Sequence, residues 1–407
     1  MISYSEAIEI VMKNIKTATV VELPIMESLN SVIAGDVVSP VDIPRFSSSA
    51  MDGYAVRSED TAGASEREPV RLNVIFEIQA GDEVRWKLKV AEAARIMTGA
   101  PLPDGADCVI EQELVSIENR KLLIKNEFKP GRNIRFKGEE VKRGGRALPK
   151  GTVITVPILG FLVNMGLKSV KVHMRPKVGV ITTGRELVPL SQIGEGIPSG
   201  KIPDVNSAIL LHALGGMSIQ PSYFEISGDE KEEISCKIES ALEVSSLVVI
   251  TGGVSVGKYD FVKEVLVSLG VETLFWKVAQ KPGKPLFFGK RGDKLIFGLP
   301  GNPVSVFIAF YEYLRPAILS MMGYRDIFMP EVRAKISRVI KNRKGRTCFL
   351  AGILYKKRGQ FYVDVPENQR SHILSSFAGV NSIAVIDELS ETVQAGSEVV
   401  VQLLPLR

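Results

Sequence analysis

The feature that most constrains the fold is the alternation of short apolar runs with longer amphipathic runs across residues 176–323. Short runs rich in Val and Ile are typical of buried strands, and the longer runs have helical spacing. Such alternation predicts a mostly parallel sheet covered by helices on both faces. The predicted strands are Lys177–Ile181, Leu247–Ile250 and Leu295–Phe297, and the predicted helices are Asn206–Leu214, Asp260–Leu269 and Val304–Leu319.

The rest of the chain is predicted to form β-rich modules around this α/β domain. Short strand patterns separated by turn residues predict a β-rich insertion domain over residues 43–136. The insertion lies between residues 1–42 and 137–175, which we expect to pack together as one linker domain. Short strands return in residues 324–407 and predict a C-terminal β-barrel domain. The predicted fold is therefore α/β plus β-rich modules, in a multi-domain subunit.

Composition limits both the class of protein and its chemistry. Apolar residues make up 45% of the 407 residues, which is the share of an ordinary globular chain and argues against a disordered one. No apolar run approaches the length of a membrane helix and no leader pattern opens the chain, so we expect a cytoplasmic protein without a membrane span. Three cysteines and three histidines lie far apart, which disfavours a zinc site. Catalysis is then left to carboxylates, lysines, hydroxyls and backbone amides.

Positive charge is concentrated toward the C-terminal domain. The net charge is only +5, but residues 331–360 hold ten Lys and Arg against the single acid Glu331. Such a patch suits an anionic small molecule or nucleic acid, and the alternative is a solvated edge of a small β domain. Few aromatic side chains accompany it (Phe349, Tyr355 and Phe361), which disfavours nucleic acid.

Three strand patterns of the α/β domain run into loops rich in glycine, serine and threonine. The carboxyl ends of parallel strands share one edge of a sheet, where ligands bind, and glycine lets backbone N–H groups close on an anion. The alternative is that the glycines serve turn geometry alone. Three such loops at one edge favour an anion site. The candidate binding residues are Gly184, Gly252, Gly253, Ser255, Gly301, Asn302 and Ser305.

A basic segment, KVAQKPGKP over residues 277–285, lies between the second and third of these loops, and we call it the lysine clamp. Its prolines and glycine stiffen the backbone, which lowers the entropy cost of holding side chains in place. Lys277, Lys281 and Lys284 would repel one another unless an anion lies between them. The clamp, with Pro285, is thus a candidate phosphate or oxyanion site, and the alternative is a solvated basic turn.

Carboxylates stand near the same loops. Glu186 follows the first loop, Asp229 lies in a connection between strands, and Asp260 follows the second loop. Carboxylates beside phosphate-binding loops are typical ligands of Mg²⁺, although each of these could instead be a surface acid or a helix cap. In the insertion domain, Asp52 and Thr98 each stand beside a glycine and are further candidates.

Several long segments together resemble the molybdopterin molybdenumtransferase family, the metal-insertion enzymes of molybdenum-cofactor biosynthesis that include the E domain of gephyrin. The similarity runs nearly end to end. The segments that carry it include SSSAMDGYAV (47–56), RIMTGAPLPDGADCVI (95–110), ITTGREL (181–187), TGGVSVGKYDFV (251–262), FWKVAQKPGKPLFFG (275–289), GLPGNPVS (298–305) and SHILSSF (371–377).

The resemblance implies an elongated homodimer in which residues 1–42 and 137–175 serve dimerisation and residues 176–323 bind molybdopterin. The implied activity is insertion of molybdate into adenylylated molybdopterin with release of AMP and help from Mg²⁺. Molybdopterin adenylyltransferase is the implied upstream donor. The implied catalytic positions are Asp52, Thr98, Glu186, Asp229, Asp260, Lys277 and Lys281. Glu186, Asp229 and Asp260 are the implied metal ligands. Ser371 joins Lys284, Pro285 and the loop residues among the implied binding positions.

The sequence departs from the family pattern at two places. Arg185 stands where an Asp is usual, and Ala351 stands where an oxyanion-binding Arg is usual. We expect Arg346 or Arg370 to take over that role, and the change leaves tungstate open as the oxyanion. The alternatives to the insertion enzyme are the related adenylyltransferase, which the length of the chain disfavours, and a non-catalytic scaffold, which the retained clamp disfavours.

Overall fold

The protein is described by a computed structural model. It describes residues 1–83, 86–194, 196–227, 230–253, 261–370 and 373–405. The chain forms two compact bodies. One body comprises Met1–Glu22, Asn30–Ala34 and Lys171–Arg407, and the other comprises Leu23–Leu29 and Gly35–Val170.

The first body contains the central sheet, whose six strands are mostly parallel. Four neighbouring strands run parallel to one another, and the last two form an antiparallel edge. The prediction of a mostly parallel α/β sheet is confirmed. In spatial order the strands are Ser222–Ser227, Val178–Thr183, Leu247–Thr251, Lys294–Leu299, Phe287–Arg291 and Glu272–Trp276.

Helices cover both faces of this sheet. Val249 and Phe297 point into one core and Val248 and Ile296 into the other, since successive side chains of a strand alternate between faces. Strands buried on both faces read as continuous apolar runs, which explains why the sequence pattern identified them. The first core is covered by helices Tyr4–Lys13, Val205–Gly216, Pro303–Ala309 and Arg315–Met321, and the second by Lys231–Val244 and Val262–Ser268.

The C-terminal part of the first body is a closed five-stranded barrel, as predicted. Each strand pairs with two neighbours, and the closing pair joins Thr347–Lys357 to Ser382–Ile386. The short strand Gln280–Lys281 of the clamp adds in parallel to the start of Thr347–Lys357. The other barrel strands are Glu331–Ile336, Gln360–Asp364 and Glu398–Leu403, and a small ribbon pairs Ile340–Lys341 with Thr392–Val393.

The second body is built on a six-stranded sheet that forms a half-barrel, in which one strand pair is parallel and the other four are antiparallel, so the predicted β-rich insertion is confirmed. Its apolar face buries Tyr54, Leu72, Ile110 and Leu122. In spatial order its strands are Cys108–Glu111, Gly53–Val56, Glu92–Ile96, Val70–Ile78, Lys121–Ile124 and Val115–Glu118.

The shorter elements of the chain are strands Val20–Pro24, Val37–Val38, Ser48–Ser49, Ile134–Arg135, Arg146–Leu148, Ser169–His173, Leu187–Val188 and Ile202–Pro203, and helix Val156–Asn164.

One helical stretch, Pro303–Met321, is long and apolar enough to cross a membrane by length and composition alone. Of its apolar window, 78% is buried inside the protein, as in the core helix of a globular domain. Tyr313 and Leu314 within it are fully buried in the first core of the sheet.

A buried carboxylate lies in the middle of this stretch, in the π-helical turn Phe310–Leu314. Glu312 is 2% exposed and accepts hydrogen bonds from the Tyr4 hydroxyl at 2.5 Å and the Gln402 side-chain amide at 3.5 Å. Its Oε1 has no partner among the described residues. Burial raises the pKa of Glu312 to about 7, against the opposing effect of the two hydrogen bonds.

We expect Glu312→Gln to change how stability depends on pH. Glu312 titrates near 4.5 in the unfolded chain and about 7 in the folded one, so it stabilises the fold fully below about pH 4.5 and progressively less as pH rises through about 7. Because Gln does not titrate, the wild type should lose up to roughly 3 kcal/mol of unfolding free energy relative to the variant between about pH 5 and about pH 8. Urea titrations of both proteins at these two pH values check this, and parallel pH profiles would contradict it.

Candidate functional site

The three glycine-containing loops meet at the carboxyl edge of the central sheet. The Thr183 hydroxyl donates to the carbonyl of Thr251 at 3.3 Å, and the N–H of Gly252 donates to the carbonyl of Leu299 at 3.1 Å. These contacts join the first loop to the second and the second to the third. The predicted residues Gly184, Gly252, Gly253, Gly301, Asn302 and Ser305 therefore belong to one edge.

Backbone conformation and close contacts require glycine at positions 252 and 253, whatever the loop binds. Gly252 and Gly253 have φ values of 87° and 63°. A Cβ on Gly252 would lie 2.4 Å from the carbonyl oxygen of Thr183, and one on Gly253 would lie 2.6 Å from a methyl of Val262. The sequence left open that the glycines serve turn geometry alone. Turn geometry does account for Gly252 and Gly253, whether or not the loop binds an anion.

The third loop leads into the helix Pro303–Ala309. Gly301 and Asn302 are exposed, whereas Ser305 is 2% exposed and its N–H donates to the carbonyl of Asn302 at 2.9 Å. A helix start with exposed loop atoms before it can present N–H groups to an anion. Ser255 of the second loop lies outside the described residues.

A buried polar cluster beneath this edge was missed by the sequence analysis. The Asn206 side-chain amide donates to the Thr251 hydroxyl and to the carbonyl of Gly301, both at 2.9 Å, so it links the second loop to the third. Asp204 is fully buried and accepts from the Ser207 N–H at 3.0 Å, from the Ser207 hydroxyl, and from the Tyr223 hydroxyl at 3.1 Å. Asp204 caps the helix Val205–Gly216. An Asp three residues before Ser207 at the start of a helical pattern was the sequence signal that could have identified this cap.

The lysine clamp is held in shape from behind by Gln280. This side chain is 2% exposed, its amide donates to the carbonyls of Pro282 and Gly283 at 3.2 Å each, and its carbonyl oxygen accepts from the Tyr313 hydroxyl. Buried hydrogen bonds of this kind fix a backbone because leaving any of them unmade is costly. Lys281 and Lys284 are exposed in front of this brace, and Pro285 is half-buried.

The clamp lysines point to three different environments. The ammonium of Lys277 lies 3.8 Å from the centroid of the Trp276 ring, and that of Lys263 lies 3.9 Å from the same centroid. Lys281 lines one cavity and Lys284 lines another. The described geometry therefore does not bring the three clamp lysines to a single point.

The cavity at Lys281, which we call the large basic cavity, has a volume of about 970 Å³. Among the described residues, its cationic lining is Lys281, Arg338, Lys341 and Arg370, and Glu367 is its one acidic lining residue. The Arg338 guanidinium is oriented by the carbonyls of Pro366 at 2.7 Å and Glu367 at 3.2 Å. Clusters of guanidinium and ammonium groups suit phosphates and other oxyanions.

The second cavity, which we call the small basic cavity, has a volume of about 190 Å³. Its cationic side chains, among the described residues, are Lys284, Arg343, Lys344 and Arg346, while residues 278–280 supply an uncharged wall and Met1 also lines it. Arg346 and Arg370 were both expected to take over the role of the arginine that the family has at position 351. They lie in different cavities, since Arg370 shares one with Lys281 and Arg346 shares the other with Lys284.

Ala351 itself lies inside the protein. It is fully buried, and the Gln369 side chain pairs with both its N–H and its carbonyl at 3.1 Å. Cys348 also lines the large basic cavity, where burial raises the pKa of its thiol, so the thiol stays protonated at neutral pH.

The predicted magnesium ligands are only partly described. Glu186 is exposed and lies within a tight turn that is closed by the Leu187 N–H donating to the carbonyl of Gly184 at 3.1 Å. Asp229, Asp260 and the binding candidate Ser371 lie outside the described residues. Within the described part of the chain, no three His, Cys, Asp or Glu side chains come together as a metal site. The residues that can be placed do not form a complete magnesium site on their own.

In the second body, the structure brings Asp52 and Thr98 together. Asp52 Oδ1 accepts both the N–H and the hydroxyl of Thr98 at 2.7 Å. These two hydrogen bonds hold the pKa of Asp52 below its usual range, and the bond from the Thr98 hydroxyl has the larger effect. The pair therefore presents an ionised, exposed carboxylate.

Comparison with known proteins places this architecture in molybdenum-cofactor biosynthesis. Residues 2–166 match the family described as the MoeA N-terminal region (domains I and II), residues 179–320 a probable molybdopterin-binding domain, and residues 333–404 the MoeA C-terminal region (domain IV). The solved structure of the molybdopterin biosynthesis protein MoeA from Pyrococcus horikoshii is 33% identical, with a TM-score of 0.82 over 99% of this chain and 100% of that one.

Curated relatives are similarly close. The molybdopterin molybdenumtransferase of Haemophilus influenzae is 36% identical over 93% of each chain, and molybdopterin molybdenumtransferase 2 of Mycobacterium tuberculosis is 33% identical over 98% of each chain. The chain belongs to the molybdopterin molybdenumtransferase family. It is a transferase with a role in molybdenum-cofactor biosynthesis.

We expect Asp204→Ala to destabilise the first body strongly. The change removes a helix cap and takes the Asp204 acceptor away from the buried hydroxyl of Ser207 and the half-buried hydroxyl of Tyr223, at a combined cost of about 2–4 kcal/mol of unfolding free energy. Asp204→Asn keeps an acceptor oxygen and should lose clearly less. Urea denaturation of both variants checks this, and equal losses would show that the acceptor is not what matters.

Proposed function

We propose that this protein inserts molybdate into adenylylated molybdopterin and releases AMP, with tungstate as the alternative oxyanion. The observation that carries the proposal is the large basic cavity, in which clamp Lys281 stands with Arg338, Lys341 and Arg370. Both substrates are polyanions. One carries a pyrophosphate link between pterin and adenosine, and the other is a tetrahedral dianion, so both need cations to bind.

The chemistry that follows is hydrolysis of the pyrophosphate link. Water adds to one phosphorus atom, the bridging P–O bond breaks, and the products are AMP and the pterin monophosphate. Lys281 and Arg370 would neutralise the charge that develops on the phosphate oxygens, and the oriented Arg338 would hold the substrate in register. The volume of about 970 Å³ accommodates a nucleotide-sized ligand.

The metal requirement belongs to the same proposal. Glu186 would supply one oxygen ligand to Mg²⁺, with Asp229 and Asp260 as the other candidates. When bound, such an ion would neutralise phosphate charge. We also propose that the substrate comes from molybdopterin adenylyltransferase and that the reaction takes place in the cytoplasm.

Lys281→Ala tests the role of the cavity. Loss of one charge-stabilising donor should cost about 2–4 kcal/mol of transition-state stabilisation, or roughly 30- to 900-fold in rate. The assay measures AMP release from adenylylated molybdopterin with Mg²⁺ and either molybdate or tungstate. Lys357→Ala is the matched control, because Lys357 is an exposed lysine of the same barrel that lines neither cavity. Unchanged AMP release by Lys281→Ala would contradict the assignment, and no release by the wild type would favour a scaffold.

We further propose a homodimer whose active sites each combine Asp52 of one subunit with Lys281 of the other. The proposal is supported by the family resemblance and by the placement of Asp52 and Lys281 in different bodies of the chain. Asp52→Asn and Lys281→Ala should each be inactive alone. Refolding them together should restore about a quarter of wild-type activity, since half the dimers are mixed and each mixed dimer has one intact site. Mixed dimers that stay inactive would place both residues in one subunit.

A further inference from the structure

The N-terminal segment pairs with the backbone of the lysine clamp. Ile2 forms an isolated parallel bridge with Val278, which is fully buried. The N–H of Ile2 donates to the carbonyl of Lys277 at 3.3 Å, and the N–H of Ala279 donates to the carbonyl of Ile2 at 2.8 Å. The clamp backbone is therefore held on both sides of Val278 by a residue that is far away in sequence.

Lys277 needs this support because its backbone conformation is strained. Its φ is 73°, in the left-handed region that a lysine rarely adopts. A residue keeps such a conformation only when its surroundings over-determine it. Here the N–H of Lys277 donates to the carbonyl of Leu286 at 3.1 Å, and its carbonyl accepts the N–H of Ile2. With both backbone groups fixed, the ammonium of Lys277 is held 3.8 Å from the centroid of the Trp276 ring.

Tyr4 anchors this segment to the α/β region. Its hydroxyl donates to the buried carboxylate of Glu312 at 2.5 Å. Its ring packs edge-on against the rings of Tyr313, with centroids 5.9 Å apart, and of Phe349 in the barrel, with centroids 5.1 Å apart. Tyr4 lies only two residues after Ile2, so the position of Ile2 on the clamp depends on the contact between Tyr4 and Glu312.

The charge state of Glu312 decides how well this anchor holds. The groups that face it are Tyr4, Tyr313, Glu331 and the side-chain amide of Gln402, and none of these described groups is a cation. The Gln402 amide is shared, because it also donates to Glu331 at 3.4 Å. An ionised Glu312 is thus a buried charge without a counterion, which is costly, whereas the neutral acid fits an uncharged interior.

We infer that Tyr4 and Glu312 are positioning residues for the lysine clamp, which hold Ile2 against the backbone of Lys277 and release it when Glu312 loses its proton. Release exposes the carboxylate to water, where its pKa returns from about 7 to its ordinary value. Docking is therefore favoured at low pH, and the equilibrium constant for release should increase about tenfold from pH 6 to pH 8. The inference rests on the proposed function only for the substrate of the activity assay.

Hydrogen exchange of the full chain tests the release, followed by mass spectrometry at pH 6 and pH 8 and corrected for the intrinsic effect of pH. The helix Tyr4–Lys13 is too short to be stable alone, so its amides lose protection when the segment is released. In the wild type their protection, and that of the Ala279 amide, should be about tenfold lower at pH 8 than at pH 6. Glu312→Gln keeps an uncharged acceptor for Tyr4 and should show equal protection at both pH values.

Glu9→Gln is the matched control, because Glu9 is an exposed carboxylate of the same helix, and it should keep the pH dependence of the wild type. The helix should also be less protected than the central strand Leu247–Thr251, which is buried throughout and reports global unfolding. Equal protection of helix and strand, or a pH dependence that Glu312→Gln retains, would overturn the inference.

The AMP-release assay tests whether the segment acts through Lys277. Ile2→Pro removes the N–H that the carbonyl of Lys277 accepts, and we expect kcat/KM to fall about tenfold or more, because small displacements of a positioned group are costly. In a Lys277→Ala background the same change should have no further effect. Equal losses in the two backgrounds would overturn the role in positioning. A wild type that releases no AMP would contradict the proposed function alone, since the exchange measurement needs no substrate.

Discussion

The parallel pairing of Gln280 and Lys281 with Thr347 and Cys348 joins the lysine clamp to the C-terminal barrel. On its inner side the pairing is held by Gln280. Its side-chain carbonyl accepts a hydrogen bond from the Tyr313 hydroxyl, and its amide donates hydrogen bonds to the clamp backbone. On its outer side the clamp lysines, which belong to the α/β region, stand beside arginines of the barrel. Both basic cavities exist because two elements distant in sequence meet at this junction.

The junction also explains the basic stretch over residues 331–360. Five of its ten cations line one of the two cavities, namely Arg338, Lys341, Arg343, Lys344 and Arg346. Lys356, Lys357 and Arg358 lie instead in the distant hairpin turn of the barrel, which matches the solvated edge weighed as the alternative. The two interpretations of the charge therefore apply to different halves of the same segment.

The buried strands could be predicted from the sequence, but the contacts between residues that are remote in sequence could not. Val178–Thr183 and Leu247–Thr251 were predictable because both faces of these strands are buried, and the carboxyl edge follows from parallel pairing. The Asn206 bridge between two loops was not predictable, since it joins Thr251 and Gly301 only after folding. For the same reason the sequence could not assign Lys281 and Lys284 to separate cavities. Ala351, where the family pattern has an oxyanion-binding Arg, is buried behind Gln369, and this contact between remote residues was likewise not predictable.

The two lysines beside Trp276 give the protein an internal optical signal. The chain has two tryptophans, Trp276 beside the clamp and Trp86, which is stacked on Phe76 in the second body. The indole of Trp276 lies within 4 Å of two ammonium groups, whose electric field acts on its excited state. Anything that neutralises Lys263 or Lys277 changes that field, and the emission of Trp276 changes with it. The intrinsic fluorescence of the protein therefore carries information about the charge state around its own clamp.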